Sequence, residues 1–315
     1  MRAPTCPLCR ASRSVIREVI SLIDVWDAYE QVWDTQFSLE VRASYGHDAA
    51  VSLHECGRCS LQWFDPALEG DARFYQELFH GGISYESWRW EFSAARERIP
   101  DGSRVLEVGA GDGAFLKSIL GRCGSVEVLD KNPDAARVLR ALGIAVVDAD
   151  VRDDARDRPA RADVVCAFQV LEHVADVAGF LTALAGLSTP GGTVMVSVPN
   201  RNRHREGLEP MDAPPHHLSR WAPATMRQAA ELAGLKVTEL LFEPAPLSHC
   251  RAARQRPVRN RLAPMVGDRL AELAARISAK VRMPSWRYER LARSGRLAAA
   301  GDVGHTMMAV MRRPE

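Results

Sequence analysis

Arg104-Val-Leu-Glu-Val-Gly-Ala-Gly-Asp-Gly-Ala-Phe-Leu116 decides how the rest of this chain is read. Val105, Leu106 and Val108 form an apolar run suited to a short buried strand. Gly109, Gly111 and Gly113 follow at alternate positions, and Ala114-Phe115-Leu116 opens a helix. A strand that turns through glycines into a helix N-terminus aims backbone N–H groups at a ligand. Such a turn alone serves many nucleotides, so the flanking residues have to say which one.

Acids supply the answer. Glu107 stands two residues before Gly109, and Asp112 lies inside the turn. Carboxylates repel phosphate, so this turn suits a ligand with a cationic end better than a pyrophosphate. Asp130, with Lys131 beside it, ends the next strand and is placed to accept from both hydroxyls of a ribose. Asp150 ends a third strand, where it can accept from an adenine amino group while the Val151 N–H faces a ring nitrogen. An adenosine carrying a positive centre is S-adenosylmethionine.

From residue 104 onward, strand and helix patterns alternate, which predicts an α/β fold with a mostly parallel sheet covered on both faces. Strands are expected at 105–108, 126–130, 145–150, 162–168, 193–198, 236–242 and 305–311, with helices at 133–142, 177–187 and 223–233. Two stretches interrupt this order. Residues 200–222 form a polar loop rich in Arg, His and Pro, long enough for a lid. Residues 248–301 carry twelve arginines and Lys280 against Asp268, Glu272 and Glu289. Within them Val266, Leu270, Leu273, Ile277 and Val281 follow helical spacing and predict an amphipathic helix packed on the body.

The motifs Val105-Leu-Glu-Val-Gly-Ala-Gly-Asp-Gly113, Asp130, Gln169-Val-Leu-Glu-His-Val174 and Pro190-Gly-Gly192 resemble, in this order, those of class I S-adenosylmethionine-dependent methyltransferases. The resemblance covers residues 85–245 and the last strand, and implies the Rossmann-like seven-stranded methyltransferase sheet. It also implies that Glu107, Gly109, Ala110, Gly111 and Gly113 lie along the methionine portion and ribose of the cofactor. Asp130 and Lys131 then stand at the ribose and Asp150 and Val151 at the adenine, with Gln169 and Val170 beneath the sulfonium. Pro214-Pro-His-His-Leu-Ser-Arg-Trp-Ala-Pro223 resembles the post-strand loop of a subgroup acting on small molecules and sugars.

The 315 residues hold seven cysteines, four of them as two Cys-x-x-Cys pairs, Cys6/Cys9 and Cys56/Cys59. Paired knuckles read as one closed structural zinc site, because four thiolates leave no open coordination position. Four unrelated buried thiols are the alternative. This predicts a zinc-binding N-terminal unit over residues 1–65, in which Trp26, Tyr29, Trp33 and Phe37 pack on the knuckles. A helical linker over 66–103 and the methyltransferase domain over 104–315 follow. In the linker, Tyr85 and Trp88 either pack between the parts or border the ligand site. The knuckles are similar to those of bacterial sugar C-methyltransferases, here in a shorter chain.

A net charge of +1 gives no global pull toward nucleic acid or membrane, and 46% hydrophobic with 26% charged residues is ordinary for a globular chain. No apolar run approaches a membrane span and the N-terminus lacks a signal-peptide core, so a cytoplasmic location is expected.

Methyl transfer is an in-line displacement at an already activated carbon, so alignment in a dry site supplies much of the catalysis. A base is required only if the acceptor must lose a high-pKa proton, and histidine is the usual candidate. His173, His216 and His217 are the three to weigh. His217 is favoured, because Leu218 and Trp221 should anchor its backbone and only one of two neighbours is expected to point inward. The expected reaction is methylation of a small polar acceptor, with a sugar, nucleotide sugar or glycan end leading and a hydroxyl as the acceptor atom. The arginine-rich stretch is either a solvated surface or a contact for a pyrophosphate or an anionic lipid carrier. Nucleic-acid methylation, and a non-catalytic zinc-ribbon scaffold that binds the cofactor, are the alternatives.

Overall fold

The computed structural model describes residues 4–81, 88–203, 209–293 and 303–315. The first strand, β1 (Ser14–Ser21), follows the first cysteine pair and leads into α1 (Leu22–Trp33) and α2 (Leu39–Ser44). Ser21 caps α1 by accepting from the Ile23 N–H, and Ser38 caps α2 by accepting from Val41. The chain returns through β2 (Ala50–Cys56) and β3 (Gln62–Asp65), which are joined by the second cysteine pair. Trp26, Tyr29 and Phe37 were expected to pack on the knuckles. They join a separate cluster with Leu53, Phe64, Phe74 and Leu78 that contains no knuckle cysteine. Phe37 stacks on Phe74 at 5.0 Å between ring centres. The reason is amphipathicity: α1 turns one apolar face onto the sheet and onto α3 (Ala72–His80).

The central sheet begins after α4 (Trp90–Arg96) with β4 (Arg104–Val108), followed by α5 (Ala114–Lys117), β5 (Ser125–Leu129), α6 (Pro133–Ala141) and β6 (Ala145–Val147). The third strand is shorter than expected. Asp150 accepts from the Arg152 N–H and caps α7 (Val151–Asp157), which draws residues 148–150 out of the sheet. Then come β7 (Ala162–Phe168), α8 (Val177–Leu187), β8 (Ser188–Pro199), β9 (Ser219–Arg220), α9 (Pro223–Leu232) and β10 (Lys236–Pro244). Three helices, α10 (Leu247–Val266), α11 (Asp268–Arg282) and α12 (Ser285–Arg293), precede the final strand β11 (Val303–Arg312).

Seven strands form one sheet in the order β10-β11-β8-β7-β4-β5-β6, with parallel pairing of β4 to β5 and β7, β5 to β6, and β7 to β8. The chain runs outward in one direction from β4 through β6 and in the other from β7. The carboxyl ends of β4 and β7 therefore flank the crevice where such sheets bind ligands. Beneath it Phe92 of α4, Phe115 of α5 and Phe168 of β7 meet with ring centres 4.9–5.6 Å apart.

A second sheet, β1-β2-β3-β9, joins the N-terminal strands to the loop that was expected as a lid. Trp63 pairs with Ser219, and the Phe64 N–H donates to the Leu218 carbonyl at 3.0 Å. One compact unit comprises Met1–Pro199, Gly207–Leu241 and Met308–Glu315; the other comprises Asn200–Glu206 and Phe242–Met307. No described helix is long and apolar enough to cross a membrane.

Candidate active site

The glycine turn is held where the sequence suggests. The Gly109 N–H donates to the Leu129 carbonyl at 2.9 Å, tying the turn to the end of β5. Gly109 has φ +75°, and a Cβ there would stand 2.7 Å from Val170 Cγ2. Gly113 has φ +72° and begins α5, where a Cβ would stand 2.4 Å from Leu139. Any other residue at either position meets both a disfavoured backbone and a clash. At Gly111, by contrast, a Cβ would meet nothing within 4 Å, so that side of the turn opens on a space a ligand can fill.

Glu107 lies at the base of this space, fully buried, and its Oε2 has no hydrogen-bond partner among the described residues. Burial pushes its carboxyl up to about 8, with Asp130 and Asp112 adding to the rise and Arg89 opposing it. A buried acid with an unused oxygen beside an open cradle fits the ammonium of S-adenosylmethionine. Asp130 accepts from the Asn132 N–H at 2.8 Å and from the turn N–H groups of Ala110 and Gly111; burial raises its pKa. It thus stands against the turn at the end of β5, as a ribose-binding acid must.

Asp150 is engaged differently from the expectation. Its carboxylate accepts from Arg152 Nε at 2.9 Å, from Arg152 Nη2 at 3.1 Å and from Lys131 Nζ at 3.1 Å. Arg152 first and Lys131 second hold its pKa far below the usual carboxylate range. An adenine amino group would reach Asp150 only by displacing one of these cations. Val151 is the first residue of α7.

Gln169, which follows β7, adopts φ +55°, uncommon for a residue with a side chain and typical of functional turns. Its amide donates to Glu91 Oε1 and Ser197 Oγ, both at 3.3 Å. Glu91, buried in the first turn of α4, and Arg89, the residue before that helix, were not singled out in the sequence. Arg89 acts electrostatically on Glu107, Glu172 and His173 alike, which makes it the cation common to the turn and to the histidine cluster. The signal was the alternation of Arg89 and Glu91 with Trp88, Trp90 and Phe92, charged groups set among aromatics. Trp88 is exposed, with its indole N–H donating to Ser93; Tyr85 lies outside the described residues.

The structure brings His173, His216 and His217 together, with one ring nitrogen from each within 4.8 Å of the others. The expectation that only one of the adjacent pair points inward is corrected: both are buried, their rings stacked at 4.4 Å. The Ala213 carbonyl accepts from both backbone N–H groups, so a tight turn rather than an extended strand presents them. His173 Nδ1 lies 2.6 Å from the His216 carbonyl oxygen and 3.2 Å from the Tyr75 hydroxyl. Burial first and His217 second push His173 down to about 3, and burial likewise carries His216 well below the ordinary imidazole value. His217 stands between two carboxyls, with Nδ1 3.6 Å from Asp212 Oδ1 and Nε2 4.0 Å from Glu172 Oε1. Arg220 approaches Asp212 from the other side at 3.6 Å. Leu218 and Trp221 are buried, as the anchoring role requires.

Glu172 is the residue sequence reading passed over, as one letter of a motif. It is buried, and neither carboxyl oxygen has a hydrogen-bond partner among the described residues. Burial lifts its pKa to about 8, its own backbone N–H and Arg89 oppose the rise, and Glu91 and Asp212 reinforce it. A carboxyl poised near neutrality in a dry site is suited to taking and returning a proton.

The four N-terminal cysteines also converge, with their sulfurs within 4.8 Å of one another. The two knuckles share one geometry. Cys6 N–H donates to the Ala11 carbonyl and Cys56 N–H to Leu61, both at 2.9 Å, and Arg10 and Ser60 both have φ +58°. Sγ atoms of Cys6 and Cys59, and of Cys9 and Cys56, stand 3.5 Å apart. Tetrahedral zinc–thiolate bonds of about 2.3 Å call for sulfur separations of about 3.8 Å, so this set fits the ion with small adjustment.

Residues 83–240 match the methyltransferase-domain family. A ubiquinone biosynthesis O-methyltransferase of Xanthomonas campestris pv. campestris is 32% identical over 178 residues, covering 50% of this chain and 73% of that one. The protein of the same name from Brucella ovis is 27% identical over 210 residues, covering 63% and 82%. A SAM-dependent methyltransferase from Archaeoglobus fulgidus shares the fold with TM-score 0.51 and 18% identity over 76% of this chain and 99% of that one. With the glycine cradle, its buried acid and the strand order agreeing with these matches, the chain belongs to the methyltransferase-domain family and is an S-adenosylmethionine-dependent methyltransferase.

Proposed function

We propose that the enzyme methylates a hydroxyl oxygen of a small-molecule acceptor, and that the hydroxyl is acidic, of the phenolic kind. The observation that carries this reading is Glu172, a buried carboxyl raised to about 8 and without a hydrogen-bond partner among the described residues. A base of that strength lies about two units below a phenol of pKa about 10, so transfer of the proton is only mildly uphill. An ordinary sugar hydroxyl is a far weaker acid and would remain protonated against Glu172. The relatives named as O-methyltransferases support oxygen as the acceptor atom and give no support to a sugar.

When bound, S-adenosylmethionine supplies a methyl group on a positively charged sulfur. Glu107 would hold its ammonium, Asp130 its ribose hydroxyls, and the turn from Gly109 to Gly113 would let the backbone approach closely. Gln169 and Val170 would border the sulfonium, with Gln169 fixed by Glu91 and Ser197. Glu172 accepts the acceptor's proton. His217, between Glu172 and Asp212, orients it, and His173 and His216 stay neutral and wall the site off from water. This reading moves the base from the histidines to Glu172, because burial holds His173 and His216 below the ordinary imidazole value and His217 lies between the Asp212 and Glu172 carboxyls. The four cysteines hold one zinc ion, closed to substrate, which fixes the ends of β1 and β2.

A panel of phenols, catechols, sugars and nucleotide sugars, incubated with methyl-labelled cofactor, tests the proposal. Label on the oxygen of a phenolic acceptor is expected. Label confined to sugars, or to nitrogen or carbon, would refute it.

A further inference from the structure

The apolar stripe expected to pack inward on α11 does the opposite. Ala271, Ala275 and Ala279 are the buried residues of that helix, and α10 is packed against it. The larger side chains face out, with Leu270 62%, Leu273 57%, Ile277 56% and Val281 74% exposed. Met265 and Val266 at the end of α10 and Trp286 on α12 are exposed as well. Spacings of three and four residues keep the four in one line, so they form a continuous strip rather than scattered surface residues. Arg269, Arg276 and Lys280 each stand one residue before a member of the strip, about 100° round the helix, and form a parallel row of exposed cations, of which Arg276 is paired with Glu272 at 2.9 Å. Residues 247–293 as a whole carry eleven arginines and Lys280 against three acids.

We infer that α11 is an interfacial helix that docks this unit on an anionic lipid bilayer. Two features on one helix point to this occupant. The strip offers apolar area that water disfavours, and the flanking cations match the negative charge of a lipid surface while their stems bury beside it. Trp286, on the following helix, is of the residue type that settles at headgroup depth. The helix lies on the surface and does not cross it, since no described helix is long and apolar enough to span. This inference stands independently of the acceptor, because the contact is made by lipid alone.

Sedimentation of the full chain with vesicles tests it, comparing phosphatidylcholine alone with phosphatidylcholine containing about one-third phosphatidylglycerol. Binding is expected on the anionic vesicles and should weaken as salt rises. Leu270→Ser with Ile277→Ser should weaken it at least about tenfold. Arg269→Gln with Lys280→Gln should weaken it roughly fivefold per cation removed and spare whatever binding phosphatidylcholine supports. Cofactor affinity, measured on each variant, should stay at the wild-type value, which separates a lost contact from a lost fold. Absence of binding to anionic vesicles would overturn the inference. So would both double variants binding as wild type, or a wild-type dimer that the serine variant dissolves while no vesicles are bound.

Discussion

Cofactor binding should release a proton, and Glu107 is its source. In the free enzyme this carboxyl is raised to about 8 by burial. At pH 7 it is therefore about nine-tenths protonated. The ammonium of the cofactor favours the ionised form, so binding drives deprotonation and takes up the carboxylate's charge. The sign follows from linkage: the free form binds more protons than the complex, so affinity rises with pH below about 8 by up to tenfold per unit. Above that the ligand's own amine, with a pKa near 8, begins to lose its charge and the gain ends. Calorimetry at pH 7 in buffers of different ionisation enthalpy reads the proton directly as a slope near one. Glu107→Gln keeps the shape of the neutral acid, should abolish most of that slope, and should weaken binding at pH 8 by about 10- to 100-fold, the worth of a charged hydrogen bond. A wild-type slope of zero, or an unchanged slope in Glu107→Gln, would refute the reasoning.

Gly109→Ala should cost cofactor binding about tenfold or more, because the new Cβ strains a left-handed backbone and presses on Val170; an unaffected Kd from calorimetry contradicts this. Metal analysis should find one zinc per chain, and chelation or Cys56→Ser should lower the melting temperature by several degrees, in line with a loss of a few kcal/mol; a metal-free protein with four titratable thiols refutes the site. Glu172 also couples pH to stability. Its raised pKa means the folded state holds a proton the unfolded chain releases above about 4.5, so this group's contribution falls as pH rises from there to about 8. Denaturant titrations of the cofactor-free protein should show Glu172→Gln relatively more stable at pH 8 than at pH 5, and an equal effect at both would contradict the burial argument.

The glycine turn and the acids around it were legible in the sequence because their placement is local. A glycine turn, the acid before it and the acid ending the next strand lie in fixed register along β4 and β5, and strand periodicity places them. The end of the third strand was misjudged on the same logic, since the Asp150 side chain caps α7 and meets Arg152, a helix start that a strand pattern conceals. The three histidines were named from the sequence, but their assembly with Glu172, Asp212, Arg89 and Glu91 was not legible, because it is built from segments far apart in the chain. Glu172 and His173 follow β7, Asp212, His216 and His217 come from a turn, and Arg89 and Glu91 come from a short helix ahead of the sheet. The Leu218 N–H, which donates to the Glu172 carbonyl at 2.7 Å, ties the turn to the segment after β7, a contact that no periodicity announces. The apolar spacing on α11 was read correctly, but its burial was inverted. Spacing reveals a stripe; which face is covered depends on the alanines beside it.

The central claim is that Glu172 takes the proton of an acidic hydroxyl while the glycine turn, Glu107 and Asp130 hold the cofactor. Single-turnover methyl transfer to a phenolic acceptor, followed in wild type and in Glu172→Gln, tests it most directly. A loss of about 10²- to 10⁴-fold in rate is expected with cofactor affinity unchanged, together with a wild-type rate that rises with pH through about 8. A Glu172→Gln enzyme that transfers methyl to oxygen at the wild-type rate would contradict it.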